Sequence, residues 1–216
     1  MKKILFAVAV MMAAISVQAQ IPAEVTEVVS KCQKVMENPA GVEYNMDMKT
    51  AMGPVNLFKA QVVSGNKDGK NRTTVKTKVV GKEVLMETGF DGQQEWSIQR
   101  IDKKDSIIIS PATERKKNDS EIDFDFDFDK IYKKAKMKTK DDYYEIEYYE
   151  PKSKKNADAS SVTLKISRKN YALRTMSFSF KGMKMSMTIN KIKVGLNDDY
   201  FKLDLSKYPN AVIIRN

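Results

Sequence analysis

From Tyr171 to Val194 apolar residues hold alternate positions: Met176, Phe178 and Phe180 before Lys181-Gly182, then Met183, Met185, Met187 and Ile189 after it. Successive side chains of a strand point to opposite faces, so this period of two predicts one face of a β-hairpin. The intervening Ser177, Ser179, Lys184, Ser186 and Thr188 are small or polar. They predict a solvated second face, hence an antiparallel sheet covered on one side. Leu, Ile and Val usually fill a rigid core, whereas unbranched, polarizable Met suits a surface that adapts to varied partners. Two readings stay open: gap-filling core methionines, or the wall of an adaptable lipid-binding cavity.

Near the start the period changes. Val25, Val28, Val29, Cys32, Val35 and Met36 form one helical stripe within Ile21 to Asn38, with Glu24, Glu27, Lys31, Gln33 and Lys34 opposite. Pro22 suits the first turn and Asn38-Pro39-Ala40-Gly41 stops the helix. A single stripe needs one surface to cover, and the apolar face of the sheet supplies it.

After Gly41 alternation returns. Val42, Tyr44, Met46 and Met48 make one strand, and Val55 to Ser64 a second that ends in the turn-rich Gly65-Asn66-Lys67-Asp68-Gly69. Arg72 to Val80 and Glu83 to Gly89 predict a hairpin around Gly81-Lys82, with glycine first as in a type II′ turn. Strands carrying Trp96 and Ile98, then Ile107 to Ile109, follow. The stretch from Pro111 to Lys140 breaks the rhythm, with a short helix expected over Lys130 to Ala135. Strands resume with Tyr144, Ile146 and Tyr148, and again with Val162, Leu164 and Ile166. Regularly spaced short strands predict a sandwich or barrel.

The N-terminus reads as a secretory signal peptide over residues 1–19: Met1-Lys2-Lys3, an apolar run, then Val17-Gln18-Ala19. Residues 20–216 are expected to form one soluble exported domain. The single cysteine, Cys32, leaves no internal disulfide to form, and its place in the stripe marks it as a buried small hydrophobe. The formal charge of +10 falls to +8 without Lys2 and Lys3. Such a charge favours anionic lipid surfaces over nucleic acid for an exported protein, but it is mixed along the chain, and a solvated, soluble exterior is the equal alternative.

There is no histidine. That removes Ser-His-Asp and Cys-His machinery, a histidine base and the usual zinc site, and no spacing suggests carboxylate or lysine catalysis. The alternating Asp123, Asp125, Asp127 and Asp129 resemble the start of a calcium loop, but Phe128 stands where an EF-hand needs glycine and Lys134 where it needs glutamate. A solvated acidic face over buried Phe124, Phe126 and Phe128, a weak calcium site and a lid bearing those rings remain alternatives.

Phe90-Asp91-Gly92-Gln93-Gln94-Glu95-Trp96 and the closing pattern from Val162 to Tyr208, ending in a Phe-x-Leu segment before Tyr208-Pro209, carry a family likeness. The chain resembles the periplasmic outer-membrane lipoprotein carriers, the LolA-like proteins, over most of its length. The resemblance implies a half-open antiparallel barrel with helices over its concave apolar face, and transport of acyl chains across the periplasm. It also implies an inner-membrane donor and an outer-membrane acceptor. One departure stands out: family members carry a basic residue followed by proline on an early strand, whereas the region from Gly65 to Asn71 offers only Lys67 and Lys70.

The expected fold is therefore α+β, a strongly curved antiparallel sheet, or half-open barrel, with helices covering the concave face. The expected function is that of a periplasmic, monomeric, non-enzymatic carrier of lipoproteins or other acylated cargo, without cofactor, metal or nucleic acid. Its expected wall is Val28, Cys32, Met36, Met46, Met48, Met86, Trp96, Phe178, Met185 and Met187, with Phe124, Phe126 and Phe128 as lid residues. A binding or sensor module of the same fold, for another amphiphile or an envelope protein, is the alternative. An exported hydrolase is the remaining class.

Overall fold

The structure, a computed structural model, describes residues 21–101, 104–111, 126–152 and 159–215. The expected signal peptide, Phe124, Asp123 and Asp125 lie outside the described residues.

Helix α1 spans Ala23–Met36 and buries Val25, Val28, Val29, Cys32 and Met36 of the stripe read from the sequence, while Val35, at its margin, is half-buried. Six strands follow: β1 (Val42–Met52), β2 (Val55–Lys67), β3 (Lys70–Val79), β4 (Lys82–Phe90), β5 (Gln94–Ile101) and β6 (Lys104–Pro111). A single turn, α2 (Phe128–Ile131), leads into β7 (Tyr132–Thr139), β8 (Tyr143–Pro151), β9 (Ala159–Ser167), β10 (Leu173–Phe180) and β11 (Met183–Val194). Two 3₁₀ turns, Asp198–Phe201 and Leu205–Lys207, precede β12 (Val212–Arg215).

Among the described residues twelve strands join one sheet in the order β12-β6-β5-β4-β3-β2-β1-β11-β10-β9-β8-β7. Neighbours are antiparallel except for β12, which runs parallel to β6. The edge strands β12 and β7 do not pair, so the sheet is unclosed. A twisted open sheet of this width tends to curl, and bulges between Asn45 and Met46 and between Thr50 and Ala51 add local bend, consistent with a curved sheet.

Three details differ from the sequence reading. The β3–β4 loop is Val80-Gly81, with φ of 50° and 80°, not Gly81-Lys82. Positive φ at both positions makes it type I′, whose twist matches the strands it joins. Strand β2 runs through Gly65 to Lys67, because these residues pair with Arg72 to Lys70 on β3, and glycine at 65 leaves room for the Tyr200 ring, which a Cβ would approach to 2.5 Å. The helix expected over Lys130 to Ala135 is only the turn Phe128–Ile131; Tyr132 already begins a strand, paired with Pro151.

The register divides the sheet into two faces. One bears Tyr44, Met46, Val62, Ile146, Leu164, Ile166 and Met187 and shares a single hydrophobic cluster with the α1 stripe. On the other, Trp96, Ile98, Ile107 and Ile109 form a separate cluster with Leu203, Leu205 and Tyr208 from the C-terminal segment.

Candidate functional site

The face that receives α1 carries continuous cross-strand rows. Met48 on β1 lies opposite Met187 on β11, which lies opposite Met176 on β10; Leu164, Ile146 and Met137 continue the row through β9, β8 and β7. One pair closer to the hairpin ends, Thr50, Met185, Phe178, Val162 and Tyr148 make a second row. Met52, Met183 and Phe180 begin a third. The predicted Met176–Ile189 hairpin thus exists, with Met176, Phe178 and Phe180 paired to Met187, Met185 and Met183.

Burial falls along these rows. Met187 is buried, Met176 and Phe178 are half-buried, and Met185, Phe180 and Met52 are exposed. Toward the β6 side the same face runs from buried Met46 and Val62 through half-buried Val75 to exposed Met86. The helix therefore meets an apolar face wider than the part it buries. Adjacent exposed apolar residues of this kind, rather than isolated ones, mark a surface for an apolar ligand or partner.

Polar contacts tie α1 down: the Tyr44 hydroxyl donates to the Met36 carbonyl at its end, and the Thr26 hydroxyl donates to Asp129 at 3.2 Å. Burial pushes the Cys32 thiol up to about 12 and raises the Tyr44 and Tyr148 hydroxyls. These groups stay neutral at ordinary pH, as an apolar interior requires.

Val28, Cys32, Met36, Met46, Met187, Phe126 and Phe128 all belong to the helix-side cluster, and Met48 and Phe178 pack against it. Met86 and Met185 share that face but are exposed. Phe126 and Phe128 are buried side by side, their ring centres 5.9 Å apart, with Phe128 5.2 Å from Tyr148. Trp96 stands apart. It pairs with Gly89 and Ile109, on the face away from α1, because its strand position has the opposite parity to Met86.

Around Trp96 is a constellation that alternation alone does not show. Arg72 donates to the Tyr200 carbonyl at 2.9 Å and to Glu87 at 2.6 Å, and its guanidinium lies over the Trp96 and Tyr200 rings. Gly65 and Gly89 sit opposite Arg72 on either side. They leave room for those rings, since a Cβ on Gly89 would come 2.2 Å from Trp96. Lys67 and Lys70, the two lysines of the departing early-strand region, both pair with Asp198, at 3.4 Å and 2.8 Å. These contacts fasten the C-terminal segment to the sheet. The signal for them in the sequence was two glycines at strand positions flanking an arginine.

An open cleft of about 1130 Å³ crosses the hairpin end of β1–β5. Its lining mixes apolar Met48, Leu57 and Phe58 with basic Lys49, Lys59 and Lys76. Among the described residues no group of three metal-ligating side chains comes together, and no helix is long and apolar enough to cross a membrane.

No family model matches the chain, and no curated protein matches it in sequence. Solved structures do match in shape. The lipoprotein LppX of Mycobacterium tuberculosis is 13% identical, with 80% of this chain and 97% of that one covered and a TM-score of 0.52. LprF of Mycobacterium bovis is 10% identical, with coverage of 83% and 99% and a TM-score of 0.51. The chain has the fold of these two proteins. A LolA superfamily protein of Nitrosomonas europaea also matches, at 13% identity, coverage of 83% and 97% and a TM-score of 0.33. The likeness in fold rests on the first two structures.

Proposed function

We infer that this protein is an envelope carrier that shields the acyl chains of lipoproteins on the helix-side face of its sheet. The observation that carries this reading is the outward run of the methionine and phenylalanine rows, from buried Met187 through half-buried Phe178 to exposed Met185 and Phe180. An acyl chain of about fifteen carbons costs on the order of 12 kcal/mol in water, at about 0.8 kcal/mol per methylene. A soluble carrier must offset that with apolar surface of its own. Unbranched methionines adjust to chains of different length and branching better than a rigid aliphatic wall.

In this reading residues 1–19 export the chain, and the domain over 20–216 works in the periplasm. It receives lipoproteins from an inner-membrane donor and delivers them to an outer-membrane acceptor. Val28, Cys32, Met36, Met46 and Met187 form the floor where α1 seats on the concave side of the sheet. Met48, Met86, Phe178 and Met185 line the acyl path. Phe126 and Phe128 close one side, and Phe124 is the third ring of that lid. Trp96 serves the fold rather than the path, because it faces the C-terminal segment. The protein acts by binding, as a monomer, with no catalytic group.

The test is titration of the purified protein with a fluorescent fatty-acyl probe, followed by competition with a lipidated and an unlipidated form of the same peptide. Saturable probe binding displaced only by the lipidated peptide supports the carrier. Displacement by the unlipidated peptide points instead to a module that reads an envelope protein, and no probe binding rejects the proposal.

A further inference from the structure

The hairpin end of β1–β4 combines two features that a purely soluble surface avoids. The first is apolar exposure at the turns. Met52 and Val55 close β1–β2, Leu57 follows, and all three are exposed. Two residues beyond the last β2–β3 pair, Ala60–Thr77, lie exposed Phe58 and Val79, and beside Val79 is Val80, 96% exposed. Val80 also sits at φ 50° in its type I′ turn. A β-branched residue at positive φ is strained where asparagine or glycine would be at ease. Strain held at an exposed apolar tip points to a use for that tip.

The second feature is uncompensated positive charge immediately behind the turns. Lys49 and Lys59 face one another directly across β1 and β2, an arrangement that costs stability through like-charge repulsion. Lys76 and Lys78 stand on the next strand, on the same face by register, and both line the 1130 Å³ cleft with Lys49 and Lys59, whereas Arg100 of the same cleft is held by Asp105 at 2.5 Å. Of the two carboxylates that line the cleft, Asp47 accepts from Asn190 at 2.9 Å and Glu83 is engaged by Lys78 at 3.7 Å. Among the described residues Lys49, Lys59 and Lys76 have no ion-pair partner. At about 3.3 Å per residue the lysines stand roughly 7–13 Å back from the turns, where flexible stems can reach a headgroup layer while the tips enter its apolar boundary.

We propose that this end of the sheet docks on the surface of an anionic phospholipid bilayer, with Met52, Val55, Leu57 and Val80 entering the interface and Lys49, Lys59, Lys76 and Lys78 holding the headgroups. Charge complementarity selects the occupant: an exposed apolar tip alone would suit a protein groove, but paired with opposed lysines it suits lipid phosphate. The exposed Met185, Phe180 and Met52 of the helix-side face open at the same end, since the β10–β11 turn lies level with the β1–β2 turn through the Met52–Met183 pair. Docking would therefore bring the apolar face to the bilayer. The surface does not depend on the carrier reading, and the two are tested by different readouts.

Flotation of the protein with phosphatidylcholine vesicles, with and without phosphatidylglycerol, tests the surface. The wild type is expected to float with the anionic vesicles and not with pure phosphatidylcholine, and to lose binding by more than about tenfold at roughly 0.5 M salt. Val80→Asn suits the type I′ turn better than valine, so its melting temperature should be unchanged or higher while vesicle binding falls several-fold. The triple variant Lys49→Gln, Lys59→Gln, Lys76→Gln should lose anionic-vesicle binding and keep fluorescent acyl-probe affinity. Absence of wild-type flotation, equal binding to both vesicle types, or full binding by Val80→Asn would each overturn the proposal. Probe binding that fails in the wild type while flotation persists would reject the carrier and leave the docking surface standing.

Discussion

Met185 and Met187 stand two residues apart on one face of β11, yet Met185 is 44% exposed and Met187 only 6%. The pair marks where a packed core becomes an open apolar surface. Met187→Trp should overpack the cluster around Met48 and Met176 and destabilise by about 1–3 kcal/mol. Met185→Trp has room for the ring, so the melting temperature should stay within a degree or two of wild type while fluorescent acyl-probe binding weakens. Thermal melts and probe titrations on the two variants read this difference directly.

Val28 lies within the apolar cluster that α1 shares with the sheet. Val28→Asp should cost several kcal/mol, since an unpaired carboxylate cannot be buried without either protonation or local unfolding. A melting temperature equal to wild type would show that α1 is not seated on the sheet in solution.

The parts legible in the sequence were those governed by period. The α1 stripe, the Met176–Ile189 hairpin and the alternation of Tyr144, Ile146 and Tyr148 follow from spacing, because each element buries one face. Which face a strand residue joins depends on register, and register was out of reach wherever a turn was displaced by a residue. Trp96 shows the consequence. Its strand was evident, but the pairing of Gly89 with Trp96 and Val75 with Met86 sets Trp96 and Met86 on opposite faces. The Arg72–Glu87–Tyr200 constellation joins residues up to 128 apart, so no local pattern announces it. The unpaired lysines were visible only as part of a mixed charge; their cross-strand opposition appears once β1 and β2 are aligned.

Gly89 tests that constellation. Gly89→Ala should push against the Trp96 ring, on which a Cβ would impinge at 2.2 Å, and loosen the C-terminal segment held by Arg72 and Tyr200. A loss of about 1–3 kcal/mol and a red-shifted tryptophan emission are expected. Trp96 is the only tryptophan, so the fluorescence reports this site alone. Acyl-probe binding, which belongs to the other face, should persist below the melting temperature.

Cys32 provides a pH-dependent test of the packing of α1 in the helix-side cluster. Burial raises its thiol from an ordinary value near 9 to about 12. Its contribution to stability is therefore complete below about pH 9 and is lost as pH rises toward 12, because the unfolded thiol releases its proton first. Cys32→Ala should make the alkaline decline in melting temperature shallower. Alkylation of the native protein near neutral pH should be slow, and fast once urea exposes the thiol.

The most direct test of the carrier account is photo-cross-linking with a lipidated peptide bearing a photoreactive group near the end of its acyl chain, followed by mass-spectrometric mapping of the adducts. The account predicts adducts on the helix-side rows, at Phe178, Phe180, Met183 and Met185, suppressed by an excess of unlabelled lipidated peptide. Adducts confined to the Trp96 face, or scattered labelling that unlabelled peptide does not suppress, would contradict it.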